Sequence, residues 1–246
     1  MTDLERIAPL FDGWEETMIW SCLQGVMGRA VWNGSRTSAA VISGDFASLA
    51  GEPDGELVRQ AAGAILVPRT ADWHPVIEAV LGDRAVRGTR YAIRKEPGVF
   101  DRARLEAFVS ALPAKYRLRQ IDEALVPVLL SAGWSRDLCS AFEGPADCCR
   151  RGLGFVAMYE GAPVAGAGSY CVYDGGIEIE IDTREDHRHR GLASACGARL
   201  ILECLDRGLY PSWDAHDLRS VSLAEKLGYH RGEPYTVYWL NWDGTL

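Results

Sequence analysis

The segment from Ile181 to Ala193 carries the residue types best suited to hold a phosphate group. It reads I-D-T-R-E-D-H-R-H-R-G-L-A, and its pattern predicts the end of a strand, a polar loop and the start of a helix. The first turn of a helix has unpaired backbone N–H groups and the positive end of the helix dipole. Gly191 and Ala193 have little or no side chain, so the oxygens of an anion could approach the backbone there. The junction therefore predicts a pyrophosphate cradle.

The loop before this helix is locally basic, although the chain as a whole is acidic. Arginines and acids between 184 and 190 leave a local charge of +1, whereas the chain carries -8. Arg188, His189 and Arg190 lie closest to the predicted helix start. The alternative is an ordinary strand–turn–helix junction with solvated charges, since short glycine motifs recur by chance.

A second candidate feature is a row of carboxylates on the preceding strand. Residues 177–181 alternate strictly between isoleucine and glutamate, which places Glu178 and Glu180 on one face. Asp182 continues the row at the end of the strand. A half-buried carboxylate beside an incoming ammonium group could hold or deprotonate it. The alternative is that this face is simply solvated.

Other reactive side chains have plainer interpretations. His187 and His189 lie two residues apart, and the sequence offers no further ligands around them. We therefore expect no metal and assign both to solvent or phosphate contact. Cys196 and Cys204 lie on the apolar stripe of the predicted long helix and are expected in the core. The seven cysteines include no CxxC pair and are expected to be reduced thiols.

The order of predicted elements indicates a mixed α/β protein. In the first half, short strands are predicted at 17–23, 39–42, 64–67, 91–94 and 116–121, and helices at 57–62, 75–81 and 101–112. In the second half, strands are predicted at 154–159, 164–172, 177–181, 210–215 and 235–239, and helices at 192–207 and 220–227. A helix between strands predicts a sheet with a helical crossover.

The composition argues against several functional classes of protein. With 48% hydrophobic and 24% charged residues, the chain of 246 residues can bury a substantial core. A pI near 5.2 argues against general nucleic-acid binding, which needs a surplus of cations. No apolar run approaches the roughly 20 residues needed to span a bilayer, and no signal peptide is evident. We therefore expect a cytoplasmic protein without nucleic-acid or membrane partners.

The motifs together resemble the GNAT N-acetyltransferase superfamily. Arg188-His-Arg-Gly191-Leu-Ala193 resembles its R/Q-x-x-G-x-G/A acetyl-CoA signature, and the segment from Asp217 to Tyr229 is similar to its N-x-x-A/S…L-x-x-x-x-G-F/Y segment. Further pieces, including the run from Tyr210 to Ala215 and the N-terminal pieces 21–25 and 43–52, resemble the zwittermicin A resistance-like branch. The resemblance is weakest between residues 53 and 135.

This resemblance implies a GNAT acyl-CoA N-acyltransferase fold with an additional N-terminal α/β lobe. It predicts an N-terminal lobe over 1–115, which could be a degenerate GNAT-like half, a connecting strand over 116–125, and the catalytic domain over 126–246. The N-terminal lobe is expected to shape the acceptor site. A homodimer is left open.

The implied reaction is transfer of an acetyl group from acetyl-CoA to a primary amine of a small molecule, in a ternary complex. Glu178 and Glu180 would supply the base. The cosubstrate would contact a set of residues on the strand end, the helix start and a later helix: Ile181, Asp182, Thr183, Arg188, His189, Arg190, Gly191, Leu192, Ala193, Asp217 and Ser220.

Two positions depart from the family pattern. Asp217 stands where the family commonly has an asparagine, and an ionised Asp cannot donate a hydrogen bond to the cosubstrate. Ala224 stands where many members have a tyrosine general acid, for which Tyr229 or Tyr235 could substitute. These departures favour an alternative function, a non-catalytic acyl-CoA-binding sensor or partner protein.

Overall fold

The computed structural model describes residues 2–240, so residues 241–246 of the predicted catalytic domain lie outside the described part. The chain forms two compact units. One contains the chain up to Arg90 together with the chain from Pro234 onward, and the other is Tyr91–Glu233. This division by compactness falls earlier than the predicted boundary between 115 and 126. That boundary, as a division between an accessory lobe and a catalytic domain, stays a prediction.

The first unit is built on a mixed sheet. Its elements are α1 (Asp3–Ile7), α2 (Thr17–Leu23), β1 (Arg29–Trp32), β2 (Ser38–Ser43), β3 (Phe46–Gly51), α3 (Gly55–Ala61), β4 (Ile65–Pro68), α4 (Trp73–Leu81) and the first part of β5 (Ala85–Ile93). The strands β1, β2 and β3 are antiparallel neighbours, and β3 pairs parallel with β4. The last strand of the described residues, β12 (Arg231–Leu240), joins β4 through Tyr238 and Leu66. Apolar side chains of α3 and α4, with Trp73 fully buried, form the core against this sheet.

The prediction of a strand at Thr17–Leu23 is wrong, because this segment is the helix α2. The Glu16 side chain caps the helix by accepting a hydrogen bond from the Met18 N–H. Ile19 and Cys22, which are three residues apart, pack against the β2 strand in a small core. Seven apolar or small residues without clear alternation fit a strand and a buried helix equally well, and tertiary packing decides between them.

The second unit contains the sheet that carries the candidate site. Its elements are α5 (Arg102–Ser110), β6 (Arg117–Gln120), α6 (Leu125–Ser131), α7 (Pro145–Arg151), β7 (Gly154–Tyr159), β8 (Ala162–Tyr173), β9 (Gly176–Thr183), α8 (Leu192–Asp206), β10 (Tyr210–Ser212), β11 (Asp214–Ala215) and α9 (Leu218–Leu227). The strand order is β10-β9-β8-β7-β6. Only the β9–β10 pair is parallel, and α8 is the crossover between these two strands. The predicted mixed α/β class is confirmed.

Helix α8 lies against one face of this sheet at close range. A Cβ atom built at Gly197 would come within 2.9 Å of the side chains of Ile181 and Leu227. A larger residue at position 197 would therefore push α8 away from β9. The absence of a side chain at this position sets the distance between the helix start and the strand end.

The predicted strand at 210–215 is divided at Trp213. The first part, β10, pairs parallel with β9, and the second part, β11, pairs antiparallel with β5. The last register pair between β9 and β10 is Glu178 with Ser212. Beyond Glu178 the two strands separate, so one edge of β9 is open near its C-terminal end.

Candidate active site

The start of α8 presents backbone donors that the protein does not use. Gly191 precedes the helix and no side chain caps it. Within the described residues, the N–H groups of Gly191, Leu192, Ala193 and Ser194 make no hydrogen bond, and the first matched amide is that of Ala195, which bonds the Gly191 carbonyl at 3.0 Å. Four unmatched N–H groups and the positive helix end favour an anion here.

Gly191 keeps this helix start open. Its φ of +77° lies in the left-handed region that glycine adopts without strain. Apart from its chain neighbours, a Cβ atom built on it would meet no described atom within 4 Å, so a side chain at this position would enter open space. Leu192 points into the core, and Ala193 is half-buried, so the contribution of both at this site is their backbone.

A buried hydroxyl adds to this cradle. Thr183 is 8% exposed, and its Oγ1 has no hydrogen-bond partner among the described residues. It shares a strand face with Ile181, the residue that contacts α8, so the hydroxyl lies on the α8 side of the sheet. An unmatched buried hydroxyl on the side of the sheet where α8 presents its unmatched amides fits an oxygen-rich group such as a pyrophosphate.

The basic side chains of the loop are partly engaged by the loop itself. Arg188 Nε donates to the Thr183 carbonyl at 3.1 Å. Arg190 donates to the Asp186 carbonyl and to the Tyr116 hydroxyl, both at 2.9 Å. His189 is exposed with a φ of +60°. The arginines are therefore oriented by short contacts before any ligand arrives.

The expectation that His187 contacts solvent or phosphate is wrong. A short helical turn, Glu185–His187, directs this side chain inward, where it is 4% exposed. Its Nδ1 lies 3.0 Å from the Tyr116 hydroxyl. Burial is the main cause that lowers the pKa of His187, although the nearby Asp186 carboxylate opposes it.

The carboxylate row lies on the face of β9 opposite to α8. Glu178 is 3% exposed, while Glu180 and Asp182 are half-buried. The alternative that the carboxylates lie on a solvated face is therefore excluded for Glu178. The glutamates stand on either side of the point where β9 and β10 separate: Glu178 is the last residue paired with β10, and Glu180 lies beyond it.

Two glycines of β8 let another segment approach this row. Gly168 is the cross-strand partner of Glu180, and Gly166 is that of Asp182. A Cβ atom built at Gly166 or Gly168 would lie 2.6 or 2.8 Å from Leu138. Since directly opposed residues share a face, the turn containing Leu138 covers the same face as the carboxylates.

This turn adds a further acidic group that sequence reasoning missed. Burial is the main cause that raises the pKa of Asp182, the Thr183 N–H and Arg188 oppose it, and the Asp137 carboxylate raises it further. Asp137 is thus close enough to act on the row, although 45 residues separate it from Asp182 in the sequence. No local pattern marks Asp137, because its proximity depends on the small residues at 166 and 168.

The open edge of β9 offers one further backbone group. In an antiparallel pair, N–H groups point alternately toward and away from the partner strand. The Arg184 N–H bonds the Val164 carbonyl, so the even-numbered residues of this stretch face β8 and Ile181 faces away. The Thr183 N–H is taken by the Asp182 carboxylate at 2.6 Å. The Ile181 N–H therefore points to the side where β10 has already separated.

Asp217 and Ser220 serve the start of α9. The Asp217 carboxylate caps the helix by accepting hydrogen bonds from the N–H groups of Arg219 and Ser220. Burial alone would raise the pKa of Asp217, but these N–H groups and the Arg219 guanidinium hold it below its usual value. The Ser220 hydroxyl accepts a hydrogen bond from the Trp213 indole at 3.0 Å. Both predicted cosubstrate contacts therefore already have structural partners.

The positions considered for a general acid are either buried in the packing or belong to the first unit. Ala224 is fully buried. Tyr229 is also buried, and its hydroxyl donates to the Pro211 carbonyl at 2.6 Å. Tyr235 is part of β12 in the other unit. Cys196 and Cys204 are in the core as predicted, and burial raises the pKa of each thiol to about 12.

The described residues contain neither a cluster of metal-ligating side chains nor a helix suited to span a membrane. No group of three or more His, Cys, Asp or Glu side chains is arranged to hold a metal ion. Among the helices between residues 2 and 240, none combines the length and the apolar character needed to cross a bilayer.

Comparison with known proteins decides the family. A model of the GNAT acetyltransferase family matches residues 8–238 of the chain. The chain belongs to the GNAT acetyltransferase family. The predicted fold, a GNAT fold with an additional N-terminal α/β part, agrees with this match and is confirmed by the structural relatives.

Relatives include proteins of known structure. A crystal structure of a GCN5-related N-acetyltransferase-like protein from Streptococcus suis 89/1591 is 45% identical, with a TM-score of 0.94, over 97% of this chain and 98% of that one. A GCN5-related N-acetyltransferase from Kribbella flavida shares the fold at 18% identity and a TM-score of 0.56, over 99% and 97% of the two chains. A Bacillus subtilis (strain 168) protein described as the uncharacterized N-acetyltransferase YdfB is 26% identical over 75% of this chain and 69% of its own length.

Proposed function

We propose that this GNAT protein transfers the acetyl group of acetyl-CoA to a primary amine of a small, cationic molecule. The observation that carries the proposal is the set of four unmatched amides at the start of α8, which a polar loop connects to a strand with an open edge. A bound acetyl-CoA supplies the activated acetyl group as a thioester. Membership of the family supports an acetyltransferase activity.

The cosubstrate's phosphates would be held by the backbone amides of residues 191–194. The unmatched Thr183 hydroxyl and the arginines of the loop, one of which donates to the Thr183 carbonyl, would complement this negative charge. The thioester arm would extend along the open edge of β9. There, the Ile181 N–H is oriented to donate to an oxygen that gains negative charge during acyl transfer.

The acceptor amine would be held on the opposite face of β9. Glu178, Glu180 and Asp182, with Asp137 nearby, create a negative environment that favours an ammonium group. An ammonium group is not a nucleophile, so one proton must leave before attack. Of the two glutamates, Glu180 is the one beyond the last residue paired with β10, and it would take this proton, directly or through a water molecule. The more buried Glu178 would add negative charge nearby.

We further propose that the protein belongs to the zwittermicin A resistance-like branch of the family and acts in the cytoplasm. The motifs between Tyr210 and Tyr229 support the branch, and the acidic acceptor face suits an amino-sugar, polyamine or aminopolyol. The seven cysteines are free thiols, which suits a reducing compartment.

A second candidate function is a sensor that binds an acyl-CoA without turnover. Ala224 supplies no acid, and the side chains of Asp217 and Ser220 are occupied by helix capping and by Trp213. The leaving thiolate is, however, a tolerable leaving group, so the missing acid does not by itself prevent catalysis. The carboxylate row favours the enzyme, because a sensor has no use for a base at this place.

A thiol-release assay separates the two candidates. Acetyl-CoA is offered with a panel of polyamines, amino-sugars and aminopolyols, and with N-terminal peptides as a separate set. We expect CoA release with at least one compact cationic amine and none with its N-acetylated or neutral alcohol counterpart. Tight acetyl-CoA binding without release by any amine would favour the sensor, and release with peptides alone would point to a protein acetyltransferase.

A further inference from the structure

The hydroxyl of Tyr116, a residue distant in sequence, contacts the loop that precedes α8. The Tyr116 hydroxyl lies 2.9 Å from Arg190 Nη1 and 3.0 Å from His187 Nδ1. Tyr116 itself is 3% exposed and directly precedes β6. One hydroxyl therefore contacts two residues of the loop, and one of these is next to Gly191.

The hydrogen-bond role of Arg190 in this contact is fixed by chemistry. A guanidinium can only donate, so the Tyr116 oxygen accepts from Arg190. The tyrosine proton is then available to His187 Nδ1, which accepts it only as a neutral imidazole with its own proton on Nε2. The lowered pKa of His187, caused mainly by its burial, is consistent with this neutral form. In this form, each donor in the hydrogen-bond series Arg190→Tyr116→His187 has an acceptor.

Aromatic packing fixes the ring that carries this hydroxyl. The Tyr116 ring lies 5.4 Å from that of Tyr159 and 5.7 Å from that of His187, measured between centroids. The Lys115 ammonium lies over both tyrosine rings, at 5.3 and 5.4 Å. A buried ring packed on three sides has little freedom, so its hydroxyl is a rigid anchor rather than an adaptable contact.

We propose that Tyr116 is a positioning residue for acetyl-CoA binding, which it promotes by holding Arg190 and the loop before α8 in the conformation that exposes the amides of residues 191–194. This inference rests on the proposed function. Arg190 also donates to the Asp186 carbonyl, so its guanidinium ties the loop to itself and to Tyr116 together. Without the tyrosine hydroxyl, the loop would become ordered only when CoA binds, and the cost of this ordering would reduce the affinity for CoA.

The test compares Tyr116→Phe with Tyr159→Phe. Both changes remove one hydroxyl from the same aromatic cluster, but that of Tyr159 makes no hydrogen bond to Arg190 or His187 among the described residues. Hydrogen–deuterium exchange of residues 184–194 is measured without ligand, and CoA affinity is measured by calorimetry. For Tyr116→Phe we expect faster exchange in the loop and CoA binding roughly 10- to 150-fold weaker, the loss of one charge-assisted hydrogen bond. For Tyr159→Phe we expect neither effect.

A double-mutant cycle and steady-state kinetics test whether Tyr116 acts through Arg190. If Tyr116 acts through Arg190, the double variant Tyr116→Phe/Arg190→Gln should bind CoA no more weakly than Arg190→Gln alone. In kinetics, the KM for acetyl-CoA should rise while kcat changes little. Additive losses in the cycle, or a Tyr116→Phe variant with wild-type CoA affinity, would overturn the proposal. Wild-type protein that does not bind CoA would instead refute the proposed function, while loop exchange in the free protein still reports on the anchor.

Discussion

Replacing Gly191 with aspartate is expected to abolish most of the affinity for acetyl-CoA while the fold remains intact. The new side chain would occupy the empty space in front of α8, where no described atom lies within 4 Å of a built Cβ. Its carboxylate would then lie beside a bound pyrophosphate. At an effective dielectric near 20, two like charges 4–8 Å apart repel by roughly 2–4 kcal/mol. This corresponds to a loss of affinity of about 30- to 1,000-fold, measurable by calorimetry.

The matched control is Gly191→Asn. Asparagine has nearly the shape of aspartate, and both tolerate the left-handed conformation better than other side chains. The strain caused by the φ of +77° is therefore similar in the two variants, and their difference isolates the charge. We expect Gly191→Asn to retain more affinity than Gly191→Asp. Wild-type CoA affinity in Gly191→Asp, with an unchanged melting temperature, would show that the cosubstrate has been placed wrongly.

The second large effect is expected from Glu180→Gln. General-base catalysis contributes about 10²–10⁴ to a rate, so kcat/KM should fall by a factor in this range at neutral pH. In the wild type, kcat/KM should fall as the pH is lowered, because protonation of the carboxylate removes the base. The amide of glutamine has no such titration, so the variant should lose this part of the pH–rate profile.

Two further variants on the same strand serve as controls. Glu178→Gln should have a smaller effect, since Glu178 is 3% exposed and still paired with β10. Asp182→Asn removes the same charge but can keep the hydrogen bond from the Thr183 N–H, so it should raise the KM for a cationic amine without changing the shape of the profile. Unchanged profiles in both glutamate variants would remove these carboxylates from the mechanism.

Local patterns were sufficient to predict the parts of the site that lie within one stretch of chain. The alternation at 177–181 depends only on the two-residue period of a strand, and the helix start at Gly191 depends only on small residues after a polar loop. The buried stripe of α8 likewise follows from helical spacing. Each of these features is decided by neighbours within a few residues, and each is present in the structure.

The features that the sequence could not show depend on distant residues. The predicted strand is divided at Trp213 because its two ends pair with two different strands, β9 and β5. His187 is turned inward to meet Tyr116, which is 71 residues away. Asp137 reaches the acidic row only because Gly166 and Gly168 admit Leu138. Periodicity carries no information on such pairings, since they are set by the packing of the whole unit.

The most direct test of the account follows the backbone amides of an isotopically labelled protein by NMR while CoA is added. The N–H signals of Gly191, Leu192 and Ala193 should move downfield at the lowest CoA concentrations, because phosphate oxygens would become their hydrogen-bond acceptors. A titration with acetylated pantetheine, which lacks the pyrophosphate, should leave these signals nearly unchanged. CoA binding that moves other amides and leaves these three in place would contradict the account.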